Sequence, residues 1–181
     1  ADKKTSAEEY ERLLALDASH ARAHLRLALI NIEKKKVSRG EHHLKKALEL
    51  DKPAAEEFFE LGMAFEDTKR YDRAADMYRE VLRAAPKRDD VWMKLASAQL
   101  KTGKAFEAAE SYSQLFKLNA KKYSAQLAAA GRLYEKNGRK KEAHKAYTLF
   151  LQKKFKDPRV NIALARMEYS EKKYKAVVKL L

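Results

Sequence analysis

The 181 residues predict an all-α fold, a solenoid of antiparallel helical hairpins. Three observations carry this. A segment of 34 residues repeats along the chain, each segment holds two runs of apolar residues at helical spacing, and every glycine and proline falls at a fixed place in the repeat.

Units starting at Ala21, Ala55, Asp89, Ser124 and Pro158 align five repeats, 21–54, 55–88, 89–123, 124–157 and 158–181, with one residue inserted before the fourth and the last cut short. A half-repeat, 1–20, precedes them. There Ser6 and Glu9 read as a capping box opening a helix that runs to about Leu16, and Tyr10 falls at the twenty-fourth position of a preceding unit. The second unit is the clearest. Phe58, Leu61, Gly62 and Phe65 form one helical stripe, and Tyr71, Ala74, Ala75 and Tyr78 a second. Gly40, Gly62, Gly103, Gly131 and Gly138 all fall at the eighth, fifteenth or twentieth positions, which call for close packing or a turn. Pro53, Pro86 and Pro158 fall at unit boundaries, where a missing N–H costs least. No glycine is left for a phosphate loop. Leu181 is itself a twenty-fourth position, and neither end shows the polar capping helix a solenoid needs, so 1–181 reads as a single solenoid cut from a longer protein.

The register also carries a resemblance. The eighth position is Ala28, Gly62, Ala96, Gly131 and Ala165; the twentieth is Gly40, Ala74, Ala108, Ala143 and Val177; the twenty-fourth is Leu44, Tyr78, Tyr112, Tyr147 and Leu181. Trp92 stands at a fourth position and Pro86 at a thirty-second. This pattern resembles the tetratricopeptide repeat family. The resemblance implies a right-handed α-solenoid of about five repeats plus an N-terminal half-repeat, working as a protein-binding scaffold. Asn31, Gln99 and Glu168 depart from it at the eleventh position, where the family pattern has an aromatic.

Composition narrows the function classes. With 45% apolar and 36% charged residues, five Gly and three Pro, the whole segment is expected to fold. The absence of Cys removes disulfides, thiol catalysis and Cys-based zinc sites. No stretch approaches the length of a spanning helix and the first 20 residues lack a signal-peptide core, so a soluble chain without a targeting segment is expected. The net charge of +14 is unevenly spread: residues 1–120 carry 23 Lys+Arg against 21 Asp+Glu, and residues 121–181 carry 17 against 5. A field of that shape steers acidic partners to the last third.

Residues for catalysis are scarce. His20 and His24 are spaced i, i+4, but the glutamate of a metalloprotease motif is absent, no third ligand is evident, and His24 occupies a packing position. His42 and His43 are consecutive and diverge around a helix. No enzyme, no metal and no cofactor is expected. Tyr78, Tyr112, Tyr147 and Phe150 are consumed by packing, which leaves few rings for stacking on bases.

The resemblance implies that first helices line a groove through their fifth, ninth, twelfth and thirteenth positions. Those are Leu25, Leu29 and Ile32; Phe59, Met63, Glu66 and Asp67; Met93, Ser97, Leu100 and Lys101; Ala128, Arg132, Glu135 and Lys136; Ile162, Arg166, Tyr169 and Ser170. Arg159, at a second position, adds to the cationic set. The groove is then apolar in the first half and basic in the last third. Phe59 and Met63 form a second apolar stripe on their helix, and the sequence leaves open whether it packs on a neighbouring unit or meets a ligand. Leu25, Leu29, Met93 and Ser97 do not match the Lys and Asn clamp with which some relatives hold chaperone tails. The expected partner is another protein, offering a peptide or amphipathic helix with acidic residues against the last third. Nucleic acid or another acidic surface held by the basic third is the alternative, with self-assembly through uncapped ends a further one.

Overall fold

The computed structural model describes residues 3–180, with side chains from Ala7 onward except that of Tyr174. Eleven α-helices and no strand are present among the described residues. They are α1 (Lys3–Leu16), α2 (Ala21–Glu33), α3 (Val37–Leu50), α4 (Ala55–Asp67), α5 (Tyr71–Ala84), α6 (Asp89–Lys101), α7 (Ala105–Leu118), α8 (Ser124–Lys136), α9 (Lys140–Gln152), α10 (Pro158–Ser170) and α11 (Tyr174–Leu180). Helices α2, α4, α6, α8 and α10 are each 13 residues long and start where the apolar register restarts. The expected capping box is corrected: α1 opens at Lys3, ahead of Ser6, because no Gly or Pro interrupts Lys3–Thr5. The side chain of Ser6 and all of Leu181 lie outside the described residues.

One turn joins the two helices of every hairpin. The fifteenth residue is left-handed each time, with φ of 60° at Lys35, 59° at Lys69, 75° at Gly103, 72° at Gly138 and 61° at Lys172. The next residue's N–H closes back onto the eleventh carbonyl: Lys36 on Asn31 at 2.8 Å, Arg70 on Phe65 at 2.8 Å, Lys104 on Gln99 at 2.8 Å, Arg139 on Tyr134 at 2.8 Å and Lys173 on Glu168 at 2.9 Å. These bonds satisfy carbonyls that a helix end leaves orphaned.

The chain divides into two compact units, Ala1–Val91 and Trp92–Leu181. In the first, α1 packs on α2, α2 on α3 and α4, and α4 on α5. Small residues set the approach: a Cβ on Gly62 would stand 2.5 Å from Cε1 of Tyr78, and one on Gly40 would stand 2.5 Å from Cγ1 of Ile32. In the second, α8 packs on α7 and α9, and α10 on α9 and α11. Its core gathers Phe116, Leu127, Tyr134, Tyr147, Phe150, Val160 and Leu164. Gly131 receives the ring of Tyr147 as Gly62 receives that of Tyr78.

In both pairs the ring is fully buried and its hydroxyl reaches the twelfth residue. Tyr78 donates to Glu66 at 2.7 Å and Tyr147 to Glu135 at 3.0 Å. Burial first, and the carboxylate second, push both phenols well above their usual range. In the third repeat Ala96 replaces the glycine, Leu100 stands at the twelfth position, and Tyr112 is only half-buried.

Candidate functional site

In the first unit the groove positions divide by burial. Ile32 is fully buried and belongs to the core, a correction whose cause is Gly40: the missing Cβ opens the space that the isoleucine fills. Leu25 is also buried, although it forms part of the wall of an open cleft of about 500 Å³ between α2 and α4. That cleft is rimmed by Arg22, Lys52, Glu57 and the ion pair Arg26–Glu60. Leu29 and Phe59 are half-buried, and Met63 is 36% exposed. The Phe59 ring packs against Tyr78, centroids 6.0 Å apart, and lies 4.9 Å beneath the Arg88 guanidinium. Arg88 is itself held by Asp90 at 2.7 Å and by Glu56 at 2.7 Å. Much of Phe59 is therefore spent on packing, and Met63 with Leu29 supplies the accessible apolar surface.

In the second unit, Met93 and Ser97 on α6 are half-buried and Leu100 is 40% exposed. On α8, Ala128 is buried, while Arg132, Glu135 and Lys136 are exposed. On α10, Ile162 is 43% and Tyr169 63% exposed, and Arg159 and Arg166 stand out beside them. Arg132, Lys136 and Arg166 have no ion-pair partner among the described residues. Arg159 is engaged: its guanidinium bonds Asp157, which caps α10 by accepting the Arg159 N–H at 3.0 Å. Those bonds, with the Arg132 charge nearby, hold the Asp157 carboxyl below the usual carboxylate range. Two guanidiniums without an ion-pair partner on successive first helices, with the exposed Ile162 and Tyr169 on the second of them, suit a ligand carrying carboxylates and apolar groups.

The second helices contrast between units. In the first, their charges are neutralised in place, Arg39 by Glu11 at 2.7 Å, Arg73 by Glu41 at 2.8 Å and Arg79 by Asp76 at 2.8 Å. Each exposed pair contributes at most about 1 kcal/mol to stability, but together they cancel the field. In the second, Lys140, Lys141 and Lys145 on α9 are exposed without an ion-pair partner among the described residues.

The histidines take structural places. His20 caps α2, its Nδ1 accepting the Ala23 N–H at 3.2 Å, so it does not share a face with His24. His24 is buried and its Nδ1 lies 3.0 Å from Nδ1 of His43, a contact that sequence reading missed because the two rings sit on different helices. The eleventh-position departures are buried polar groups with partners. Asn31 donates to the Leu27 carbonyl at 2.7 Å, Gln99 accepts the Ser111 hydroxyl at 2.7 Å, and Glu168 faces Nε2 of His144 at 2.5 Å. No helix of the described residues is long and apolar enough to cross a membrane.

Comparison with known proteins bears on the fold. A sequence model of the tetratricopeptide repeat matches residues 2–55, 36–89 and 59–122. No curated protein matches the chain in sequence. Among solved structures, YrrB, described as a TPR protein with an unusual peptide-binding site, is similar at a TM-score of 0.57 and 15% identity, over 83% of this chain and 77% of that one. MamA is similar at 0.53 and 22%, over 82% and 86%. A chain of the Naa15/Naa10 complex bound to HypK-THB is similar at 0.68 and 16%, over 96% of this chain but only 28% of that one. Identities this low show a likeness of fold alone.

Proposed function

Because the chain belongs to the tetratricopeptide repeat family, a family of protein-binding scaffolds, we propose that it acts as a scaffold without chemistry of its own and that its second unit holds an acidic, partly apolar peptide segment of a partner protein. Arg132 and Arg166 receive the carboxylates. Leu100, Ile162 and Tyr169 receive the apolar side chains. The observation that carries the reading is the exposure of both guanidiniums without an ion-pair partner, beside exposed apolar groups, since an arginine already paired has little to offer a ligand. In the first unit, Leu29 and Met63 offer a separate apolar strip, with methionine giving adaptability.

Fluorescence anisotropy with a labelled 12-residue peptide alternating Glu and Leu tests this, with a Lys-for-Glu peptide as control. The wild-type chain is expected to prefer the acidic peptide, and Arg132→Glu with Arg166→Glu to weaken it by at least about tenfold, roughly 1.4 kcal/mol. Equal affinity for both peptides, or indifference to the two substitutions, would refute the reading. The unpaired Lys140, Lys141 and Lys145 favour a second reading, adhesion to the phosphates of nucleic acid. It predicts that a duplex DNA probe binds with steep salt dependence and is lost on reversing those lysines, while the arginine substitutions leave it largely intact.

A further inference from the structure

In the first hairpin two histidine rings face each other with no carboxylate between them. His24, on α2, is 9% exposed; its Nε2 lies 3.2 Å from the Ala18 carbonyl oxygen and its Nδ1 3.0 Å from Nδ1 of His43 on α3. The ring centroids are 5.3 Å apart. The partners fix the protons. A carbonyl only accepts, so His24 carries its proton on Nε2, its Nδ1 is an acceptor, and the facing Nδ1 of His43 is the donor. One ring lone pair remains, on Nε2 of His43.

A first added proton goes to that nitrogen and leaves the ring-to-ring bond intact. A second has to sit on Nδ1 of His24, where it meets the N–H of His43 with no acceptor between them. Two cations then share a half-buried site. The surroundings oppose this too: α3 contributes Arg39 and His42, and the acid whose charge favours a proton on His43, Glu11 of α1, is already bonded to Arg39 at 2.7 Å. Burial, followed by the charges of His24, His42 and Arg39, holds His43 below its usual range, with only Glu11 acting the other way.

We propose that the His24–His43 pair is a proton-sensing joint, which fastens α3 to α2 and to the α1–α2 turn until both rings are protonated and lets the first hairpin loosen on acidification. The sign follows from linkage. An unfolded histidine takes up its proton near pH 6.5, whereas folded His43 resists it, so below that value the unfolded state holds more protons and stability rises with pH. The contribution is complete above about pH 6.5 and drains as the pH falls from there through the folded value.

The test is NMR on the full chain with 15N-labelled histidine, together with amide hydrogen exchange corrected for intrinsic rates, from pH 7.5 to 5. The expected tautomers are Nε2–H for His24 and Nδ1–H for His43. Protection of α2 and α3 is expected to fall by about tenfold more than that of α8 and α9 between those two pH values. Replacing both rings, His24→Phe with His43→Leu, should remove that difference, phenylalanine being the residue at the same position of α4. If that variant does not fold, the wild-type tautomers and exchange decide alone. Two rings titrating independently near pH 6.5, or α2–α3 protection tracking that of α8–α9 at every pH, would overturn the proposal.

Discussion

Replacing Gly62 by alanine sets two known effects against each other, and the structure decides which wins. Alanine favours a helix interior over glycine by about 1 kcal/mol. The new Cβ, however, would stand 2.5 Å from Cε1 of Tyr78, where ordinary contact begins at 3.4 Å. The ring has nowhere cheap to go: it is fully buried, and its hydroxyl is anchored on Glu66 at 2.7 Å. Overpacking of this kind costs about 1–3 kcal/mol, and pulling the hydroxyl from its carboxylate adds about 1 kcal/mol or more. The net expectation is a loss of about 1–3 kcal/mol, read as a lower urea midpoint by circular dichroism. Adding Tyr78→Leu should recover much of the loss, because the first repeat already pairs Ala28 with Leu44 at these two positions. A Gly62→Ala variant as stable as the parent, or more so, would show that the ring slides freely and that the close approach does not matter.

Lys69→Gly is expected to stabilise by about 1 kcal/mol, since a φ of 59° strains a side chain that glycine lacks; thermal unfolding measures it, and an unchanged midpoint would count against the strain. Gln99→Leu should cost about 1–3 kcal/mol by stranding the buried Ser111 hydroxyl, and adding Ser111→Ala should restore most of it, the pair being measured as a double-mutant cycle. Asp157→Ala should lower stability by about 1 kcal/mol through loss of the α10 cap, an effect that fades below the depressed titration of Asp157, when the wild-type carboxyl is itself protonated.

Helix placement was legible in the sequence because it depends on local pattern. The starts at Ala21, Ala55, Asp89, Ser124 and Pro158 follow from where the apolar register restarts, and α10 opens on an Asp-Pro pair that reads as a start by itself. Side-chain partnerships across helices were less so. Ile32 sits at a position expected to face a ligand, and only the gap at Gly40 turns it inward. Lys35, Lys69 and Lys172 occupy the left-handed turn that glycine marks at Gly103 and Gly138, so the glycines pointed to the turn while the lysines concealed it. The His24–His43 contact carried no signal in residue spacing. A signal for the tyrosine anchors did exist: the second and fourth repeats alone combine glycine at the eighth position with glutamate at the twelfth and tyrosine at the twenty-fourth.

That combination separates even repeats from odd ones, with a consequence for the binding surface. Glycine at the eighth position lets a tyrosine ring lie fully buried, which carries its hydroxyl to the twelfth residue, and a hydroxyl buried there needs an acceptor. Glu66 and Glu135 are therefore accounted for by the core, although both stand at positions expected to meet a ligand. Odd repeats have alanine at the eighth position and Ile32, Leu100 or Tyr169 at the twelfth, where no glutamate stands. Their eleventh residue is polar, and its side chain is met from the helix backbone, from Ser111 or from His144. Part of the alternation of acidic and apolar side chains along the first helices thus follows from how each hairpin closes its own core. What core packing does not explain is Arg132 and Arg166, which stand at ninth positions with no ion-pair partner among the described residues, and these are the two that the proposed acidic segment would engage.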